Sequence, residues 1–247
     1  AERMLNDAPP IFFPDRYDEH GKWMDGWESR RRRQGGHDHC MVQLGAKGVL
    51  SGFEVNTRFF TGNHPPFVSI EGALIDGLPD ENTVWTEIVA KSDLQPDTQN
   101  LFPVDDDRPY NILRINILPD GGVARYRVWG TPVCEWKRQD PAGHHELSAI
   151  VNAGRVVGYS DAHYGDPWII LTPGRGQNMG DGWETRRRRG PGNDWIVIAL
   201  GAAGHARKIE IDTAHFKGNY PDRCTIQAGR MEDATDADVV AASEDWP

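Results

Sequence analysis

Apolar and polar residues alternate with a period of two along much of the first half of the chain, a pattern that indicates β-strands with one buried face. In residues 111–118, for example, Leu113, Ile115 and Ile117 lie on one side of a strand, while Ile112 and Asn116 lie on the other. Similar segments, separated by Gly and Pro turns, predict further strands at 41–44, 52–57, 67–71, 84–90 and 123–129.

The second half of the chain shows the same kind of pattern. It predicts strands at 195–200, 208–213 and 224–228, and a short helix at 145–152 that ends at Gly154, after which residues 155–160 begin the second half. Short strands, little helical periodicity and frequent turns predict an all-β fold of antiparallel strands. The pattern favours a sandwich of jelly-roll type, although it leaves a barrel open.

A nine-residue motif occurs twice, as Asp-Gly-Trp-Glu-Ser-Arg-Arg-Arg-Arg at 25–33 and as Asp-Gly-Trp-Glu-Thr-Arg-Arg-Arg-Arg at 181–189. Subtracting 25 from 181 gives an offset of 156 residues, and the same offset places Gly62-Asn63 opposite Gly218-Asn219 without a gap. A chain of 247 residues can hold two domains of ordinary size. The repeat therefore predicts a duplicated domain.

The duplicated motif, the segment Asp-Thr-Ala-His-Phe-Lys-Gly-Asn at 212–219 and the segment Leu-Pro-Asp-Gly-Gly-Val-Ala-Arg-Tyr-Arg-Val-Trp-Gly at 118–130 together resemble the allantoicase family. The resemblance implies two tandem jelly-roll-like antiparallel β-sandwich modules, which we place at 1–136 and 154–247 with a linker at 137–153. The second module has no counterpart of strands 111–129, and the first has none of 154–160. We therefore expect a chain truncated at both ends relative to a full allantoicase, with an incomplete second sandwich.

The resemblance also implies a function. Allantoicases hydrolyse allantoate to (S)-ureidoglycolate and urea in allantoin and purine degradation, and no cofactor is implied. The family also implies self-association into a homo-oligomer. Because a fold does not fix a function, the alternative is a non-catalytic jelly-roll module that binds a small anion or a carbohydrate.

Charge and composition limit the possible partners. The net charge of −10 and the pI near 5.3 disfavour a nucleic-acid or anionic-membrane binder despite the two arginine runs. No apolar run long enough to span a bilayer and no N-terminal leader are found, so we expect a cytoplasmic protein. Cys40, Cys134 and Cys224 are far apart, and the repeat places apolar residues opposite the first and last, which predicts reduced thiols in the core.

The arginine runs are the first candidate for binding the substrate. Arginine binds a carboxylate through two parallel hydrogen bonds and stays charged at any relevant pH. In an extended run, alternate side chains share a face, so the glutamate and two arginines of each copy would point together. These residues are Glu28, Arg30 and Arg32 in the first module and Glu184, Arg186 and Arg188 in the second. A solvated face paired with acids, or a structural role preserved by duplication, is the alternative.

The second candidate is a set of titratable residues found only in the second module. Asp212, His215 and Lys217 stand where the first module has residues that do not titrate near neutral pH, namely Asn56, Phe59 and Thr61. We predict His215 or Asp212 as the general acid toward the departing urea, and Glu184 or Asp212 as the carboxylate that activates water. Substrate-binding residues would be Lys217, Asn219, Asp181 and the arginines and Glu28 of the two runs.

A metal site is the weaker alternative. His37 and His39 share one face of a predicted strand and could form a metal pair. The second module has Asn193 and Trp195 at the equivalent positions, so we interpret the histidines as a surface pair and predict no metal ligands.

Overall fold

The computed structural model describes residues 1–136 and 143–247. It divides into two compact units, Ala1–Thr131 and Pro132–Pro247. Part of the predicted linker, at 137–142, lies outside the described residues, and residues 143–153 belong to the second unit.

The first unit is built almost entirely of strands, preceded by one turn of 3-10 helix at Glu2–Leu5. The strands are β1 (Tyr17–Asp18), β2 (Gly21–Lys22), β3 (Trp27–Glu28), β4 (Asp38–Asn56), β5 (Phe67–Ala73), β6 (Thr86–Asp93), β7 (Gln99–Pro103), β8 (Pro109–Leu118), β9 (Gly122–Val123) and β10 (Arg125–Pro132). The main sheet has the order β10-β4-β8-β5-β6, and β7 pairs with β4. The pairs β4–β7, β4–β8, β5–β6 and β5–β8 are all antiparallel, which confirms the predicted strand arrangement.

Strand β4 is long because it takes part in two sets of pairings. Residues Asp38 to Gln43 pair with β8, whereas Gly52 to Asn56 pair with β7. The register with β8 shifts between Gln43 and Gly48, and such a bulge bends a strand. The sequence predicted two separate strands here, since Gly45 reads as the end of the first. Strand β7 was not predicted, because its Gln-Asn start and Pro103 end are weak strand signals.

The core of the first unit lies on one face of β8 and its neighbours. Leu113, Ile115 and Ile117 are fully buried, as their alternation predicts. The opposite face is not open to solvent either, since Ile112 and Asn116 are only 3% exposed. The Asn116 amide donates to Ser69 Oγ at 3.1 Å and to Glu71 Oε2 at 2.8 Å, so its polar group is buried with hydrogen-bond partners.

The second unit has fewer strands in its described part. Strands β11 (Arg155–Tyr159) and β12 (Ile196–Ala199) form an antiparallel pair. Three 3-10 helices lie at Ile150–Asn152, Pro167–Leu171 and Met179–Asp181, and one α-helix, α1, spans Asp236–Ser243. None of the helices in the described residues is long and apolar enough to cross a membrane.

Two predicted strands of the second unit are wrong: residues 208–213 and 224–228 belong to no strand. In the first repeat the equivalent residues pair with β7 and β8. In the described residues these segments have no neighbouring strand that could pair with their backbone N–H and C=O groups, and they lie exposed.

Three smaller expectations are also corrected. The predicted helix at 145–152 is only the 3-10 turn Ile150–Asn152, and the left-handed residue that ends it is Ala153 rather than Gly154. Helix α1 was missed, although the capping box formed by Thr235 and Asp238 was a usable signal. Cys224 is exposed, so it is not a core residue.

Candidate active site in the second unit

The loop 212–219 packs against the segment 175–184, and this contact brings most of the predicted catalytic residues together. The His215 ring lies 2.9 Å from the carbonyl oxygen of Gly176, measured from Nε2. The Asn219 amide donates to Glu184 Oε1 at 2.7 Å. Between these two contacts the Phe216 ring lies so close to Gly182 that a Cβ there would be 2.6 Å from Cε2. Glycine at 182 therefore permits the close packing.

The shape of the loop fixes the position of His215. Asp212 Oδ1 accepts the Ala214 N–H at 2.7 Å, which forms an Asx turn. His215 follows with a φ of 71°, in the left-handed region that residues other than glycine rarely adopt. The Phe216 N–H then donates to the Thr213 carbonyl at 3.1 Å. Such strained backbone is common where a side chain must be aimed at a functional site.

The hydrogen bond made by His215 identifies the ring nitrogen that carries a proton. A carbonyl oxygen can only accept, so the hydrogen bond to Gly176 places a proton on Nε2 of His215. In the neutral ring, Nδ1 then carries the lone pair, and in the charged ring Nδ1 carries a second proton. His215 can therefore exchange a proton through Nδ1 while Nε2 holds the ring in place.

Asp212 is held by hydrogen bonds at both carboxylate oxygens. Oδ1 accepts from Ala214, and Oδ2 accepts from Arg175 Nη1 at 2.6 Å. Arg175 also pairs with Glu210 Oε1 at 2.5 Å. The Ala214 N–H and then Arg175 lower the pKa of Asp212 below its usual value. Asp212 is therefore ionised near neutral pH and has no proton to donate.

Asp181 is engaged with the backbone of its own segment. Its Oδ2 accepts the N–H groups of Gln177 at 2.7 Å and Asn178 at 3.3 Å. Together with the Asn178 side chain it forms a capping box around the 3-10 helix Met179–Asp181. This carboxylate therefore shapes the segment that His215 and Asn219 contact.

The arginine runs lie outside the strands, so no ladder places alternate side chains on one face. In the second run, Arg188 donates to Asp194 Oδ1 at 2.7 Å, and this pairing lowers the pKa of Asp194. Arg186 is 72% exposed, and its Nε lies 3.6 Å from Asp161 Oδ1. The two arginines of the predicted fork thus contact different acids. Lys217 is exposed.

Sequence reasoning did not identify Arg175 or Asp161 as part of the site. Arg175 has no usable signal in the repeat, because the equivalent residue in the first module is Glu19. Asp161 sits just after β11 and reaches the second run only through the tertiary structure. Among the described residues, no group of three or more His, Cys, Asp or Glu side chains could hold a metal ion.

Comparison with known proteins identifies the family of the chain. The family model described as the allantoicase repeat matches residues 1–133 and 145–247. The chain belongs to the allantoicase family. The predicted family and its two tandem β modules are thereby confirmed, and the offset of 156 residues relates two allantoicase repeats.

Curated relatives and solved allantoicase structures agree with this assignment. "Probable allantoicase 1" of Burkholderia mallei is 51% identical over 247 residues, which cover 100% of this chain and 73% of the relative. A "Probable allantoicase" of Pseudomonas aeruginosa is 49% identical, with 100% of this chain and 74% of the relative covered. The crystal structure of allantoicase from Saccharomyces cerevisiae is 36% identical with a TM-score of 0.66, covering 82% of this chain and 61% of that one. The chain therefore spans about three fifths of that solved allantoicase.

The two allantoicase repeats share several hydrogen bonds at equivalent positions. In the first repeat the Asn63 amide donates to Glu28 Oε1 at 2.7 Å, the same distance as in the Asn219–Glu184 pair. Arg32 pairs with Asp38, as Arg188 does with Asp194. The motif thus builds the same local scaffold twice.

The loop after the motif is duplicated as well. Asn56 Oδ1 accepts the Arg58 N–H at 2.8 Å, which reproduces the Asx turn of Asp212. Phe59 has a φ of 71°, the value of His215, and the Phe60 N–H donates to the Thr57 carbonyl at 2.9 Å. The repeats therefore share a backbone and differ in the side chain at its strained position.

Proposed function

We propose that this chain hydrolyses allantoate to ureidoglycolate and urea, and that the second repeat carries the chemistry. The observation that supports this most strongly is the contact of His215, on its strained loop, with the segment that ends in the Glu184–Asn219 pair. The relatives that are named allantoicase, at about half identity over the whole chain, support the choice of substrate.

The reaction needs a base, an acid and a binding site for an anion. Allantoate carries a carboxylate and two ureido groups on one carbon. As the bond from that carbon to one ureido nitrogen breaks, the lone pair of the other ureido nitrogen stabilises the carbon, and water then bonds to the carbon and loses a proton to a base. The departing nitrogen takes a proton from an acid, and urea leaves. One proton is taken up and one is given, so the reaction is balanced.

Glu184 and His215 suit the two proton transfers. Glu184 would take the proton from water, with its carboxylate oriented by Asn219. Protonated His215 would donate from Nδ1 to the departing nitrogen, while Nε2 stays on Gly176. Asp212 stays ionised and, with Arg175, would hold the loop that carries His215. This proposal takes one of the two alternatives that the sequence left open for each role.

The substrate carboxylate needs a cation that is not already neutralised. We propose Arg186 for this role, because it is largely exposed and its ion pair with Asp161 is long. Lys217, which is also exposed, would add a second positive charge. Arg188 would support the run through its short pair with Asp194, and Asp181 would support the segment beside it. These supporting contacts would keep the substrate-binding groups in place.

We further propose that the enzyme works in the cytoplasm as a homo-oligomer, and that it binds neither nucleic acid nor membranes. The net charge of −10 supports the last point, because an acidic protein is repelled by anionic polymers and lipid surfaces.

The function is tested by incubating the purified chain with allantoate and measuring urea. We expect urea and ureidoglycolate to form in equal amounts, at a rate proportional to the concentration of the chain. A heat-denatured sample of the same preparation is the control. If allantoate binds and no urea forms, the chain is a binding module and the proposed activity is wrong.

Asn219→Ala should lower the kcat of urea release roughly 10- to 100-fold, because the Glu184 carboxylate loses the hydrogen bond that orients it. KM should change little, since the cations that hold the substrate carboxylate remain. The measurement is the initial rate of urea release over a range of allantoate concentrations, which gives kcat and KM separately. Asn193→Ala, which removes another exposed asparagine of the same repeat, is the control and should behave like the wild type.

A further inference from the structure

The first repeat keeps the hydrogen-bonded scaffold of the second repeat and differs from it at the positions of Asp212, His215 and Lys217. The Asn63–Glu28 hydrogen bond, the Arg32–Asp38 pair and the Asx turn of Asn56 all have counterparts in the second repeat. The positions that carry Asp212, His215 and Lys217 are different, since they hold Asn56, Phe59 and Thr61. The two repeats share the scaffold but differ in these side chains. The first repeat is therefore not expected to carry out the same reaction as the second.

Two glycines build this scaffold in the first repeat. Strand β3 pairs with β9, so that Glu28 lies opposite Gly122. A Cβ on Gly122 would lie 2.0 Å from the Phe60 ring, and one on Gly121 would lie 2.4 Å from Pro65 N. Because neither glycine has a side chain, the loop at 60–65 can lie directly on β9. The Gly122 N–H donates to the Asn63 carbonyl at 2.8 Å, which places the Asn63 amide beside Glu28.

The charged groups of this scaffold face solvent. Glu28 and Arg30 are both exposed, and they are separated by one residue. Arg32 is fixed by Asp38 at 2.5 Å, so Arg30 is the arginine of the fork that is left on the surface beside Glu28. An exposed carboxylate held by an amide and an exposed guanidinium thus stand two positions apart in the chain, with their Cα atoms no more than about 7 Å from each other.

This pair fits a molecule that carries a carboxylate and a ureido group. The guanidinium of Arg30 can bind the carboxylate through two parallel hydrogen bonds. The Glu28 carboxylate can accept the N–H groups of the ureido end, which are donors that need an acceptor. We propose that the first repeat holds a second, non-hydrolytic binding site for carboxylates that carry a ureido group, with Glu28, Asn63 and Arg30 as its binding residues. The choice of ligand class rests on the function proposed for the second repeat.

The side chain at the strained loop position explains why this second site binds without turnover. Phe59 stacks on Phe12 with ring centroids 5.4 Å apart, and its N–H donates to Asp97 Oδ1 at 2.8 Å. An aromatic hydrocarbon ring cannot donate a proton to a leaving nitrogen, which is the role proposed for His215. Asn56 keeps the turn of Asp212 without its charge. Ligand at this site therefore stays intact.

The test is the number of ligand molecules bound per chain, measured by equilibrium dialysis with N-carbamoylglycine. This probe has a carboxylate and one ureido group, but it lacks the second ureido nitrogen on the same carbon, so the hydrolysis of allantoate has no counterpart in it. We expect two molecules per chain for the wild type. Asn63→Ala in the first repeat and Arg186→Ala, which removes the proposed carboxylate-binding arginine of the second repeat, should each reduce this number to one, and the double variant should bind none.

Glu28→Gln is a second variant that keeps the acceptor oxygen for Asn63 and removes the charge. It should raise the Kd of the first-repeat site about tenfold, because a charged acceptor becomes neutral. Thermal unfolding of each variant shows whether the first unit still folds, and Glu28→Gln covers the case in which Asn63→Ala does not. One molecule or none bound by the wild type, or two retained by Asn63→Ala, would overturn the proposal.

The outcome is separable from that of the urea assay. A chain that releases urea and binds one probe retains the proposed function and loses the second site. A chain that binds two probes and releases no urea retains both sites and loses the proposed activity.

Discussion

His215→Ala is expected to lower the kcat for urea release by about 100- to 10,000-fold, because it removes the group that we propose protonates the departing nitrogen. The ring is fixed by its hydrogen bond to Gly176 and by the left-handed backbone at 215. KM should change much less, since Arg186 and Lys217 remain to hold the substrate carboxylate. Initial rates of urea formation over a range of allantoate concentrations separate the two constants.

Two further variants show whether the effect belongs to this histidine. His205→Ala removes another exposed histidine of the same repeat and should leave the rate unchanged. Asp212→Asn should cost less than His215→Ala, because asparagine makes the same turn at position 56 of the first repeat. A rate for His215→Ala within twofold of the wild type would remove His215 from the mechanism, while the family assignment would stand.

The strands of the first repeat could be predicted wherever one face is buried. Leu113, Ile115 and Ile117 alternate with polar residues, and burial of that one face makes the pattern visible in the sequence. The sequence could not predict that β4 continues through Gly45. A glycine at this position is as typical of a bulge within a strand as of a turn that ends the strand. Which strands pair with which part of β4 depends on tertiary contacts.

In the second repeat, a sequence pattern typical of strands occurs without the strands. Residues 208–213 have the same alternation as 52–57, yet only the latter form a strand. The pattern is a property of the segment, whereas a strand also needs a neighbour that supplies hydrogen bonds. The periodicity of a segment therefore indicates that the segment can pair with another strand. It does not show whether the fold supplies that strand.

The repeat indicated which residues belong to the candidate site, but it did not indicate what those residues contact. The repeat drew attention to Glu184, His215 and Asn219, and the structure places these residues on two segments that touch. The arginine fork depended on alternation in an extended run, which takes no account of acids elsewhere in the fold. Asp161 and Asp194 draw Arg186 and Arg188 to different positions. Long side chains are placed by their partners as much as by the backbone.

Identical residues in the motif can also have different surroundings. Asp181 is exposed and accepts backbone N–H groups, whereas the equivalent Asp25 is buried against Arg125. Nothing in the nine-residue motif distinguishes the two aspartates. The difference comes from Arg125, which lies 100 residues further along the chain.

Arg125→Ala should lower the free energy of unfolding of the first unit by about 3–5 kcal/mol, because it leaves the Asp25 charge buried without its partner. The two side chains are 3% and 9% exposed and their charged atoms are 2.6 Å apart. The guanidinium also donates to the carbonyls of Ala8 and Ala124, each at 2.7 Å. One residue thus joins the N-terminal segment to β10 and to the start of the motif. Urea-induced unfolding, followed by hydrogen exchange of the amides in β8, measures the loss.

The same pair predicts how stability depends on pH. Burial by itself would raise the pKa of Asp25, but the hydrogen bonds from Arg125 and from the Ile11 N–H outweigh it and hold the pKa below its usual value of 3.8. A lowered pKa in the folded state means that the stabilisation is present above pH 3.8 and is lost as the pH falls through the folded-state value. The unfolding free energy of Arg125→Ala should therefore depend less on pH in the acid range than that of the wild type.

Arg108→Ala provides the matched control, because it removes an arginine of the same unit that pairs with Asp106 at 2.7 Å. Arg108 is 60% exposed, and exposed ion pairs contribute about 0–1 kcal/mol. An equal decrease in the free energy of unfolding for Arg125→Ala and Arg108→Ala would show that the buried Asp25–Arg125 pair stabilises the fold no more than an exposed ion pair does. A large loss for Arg125→Ala alone would establish that the aspartate of the first motif maintains the fold, while its counterpart Asp181 shapes the segment that the loop 212–219 contacts.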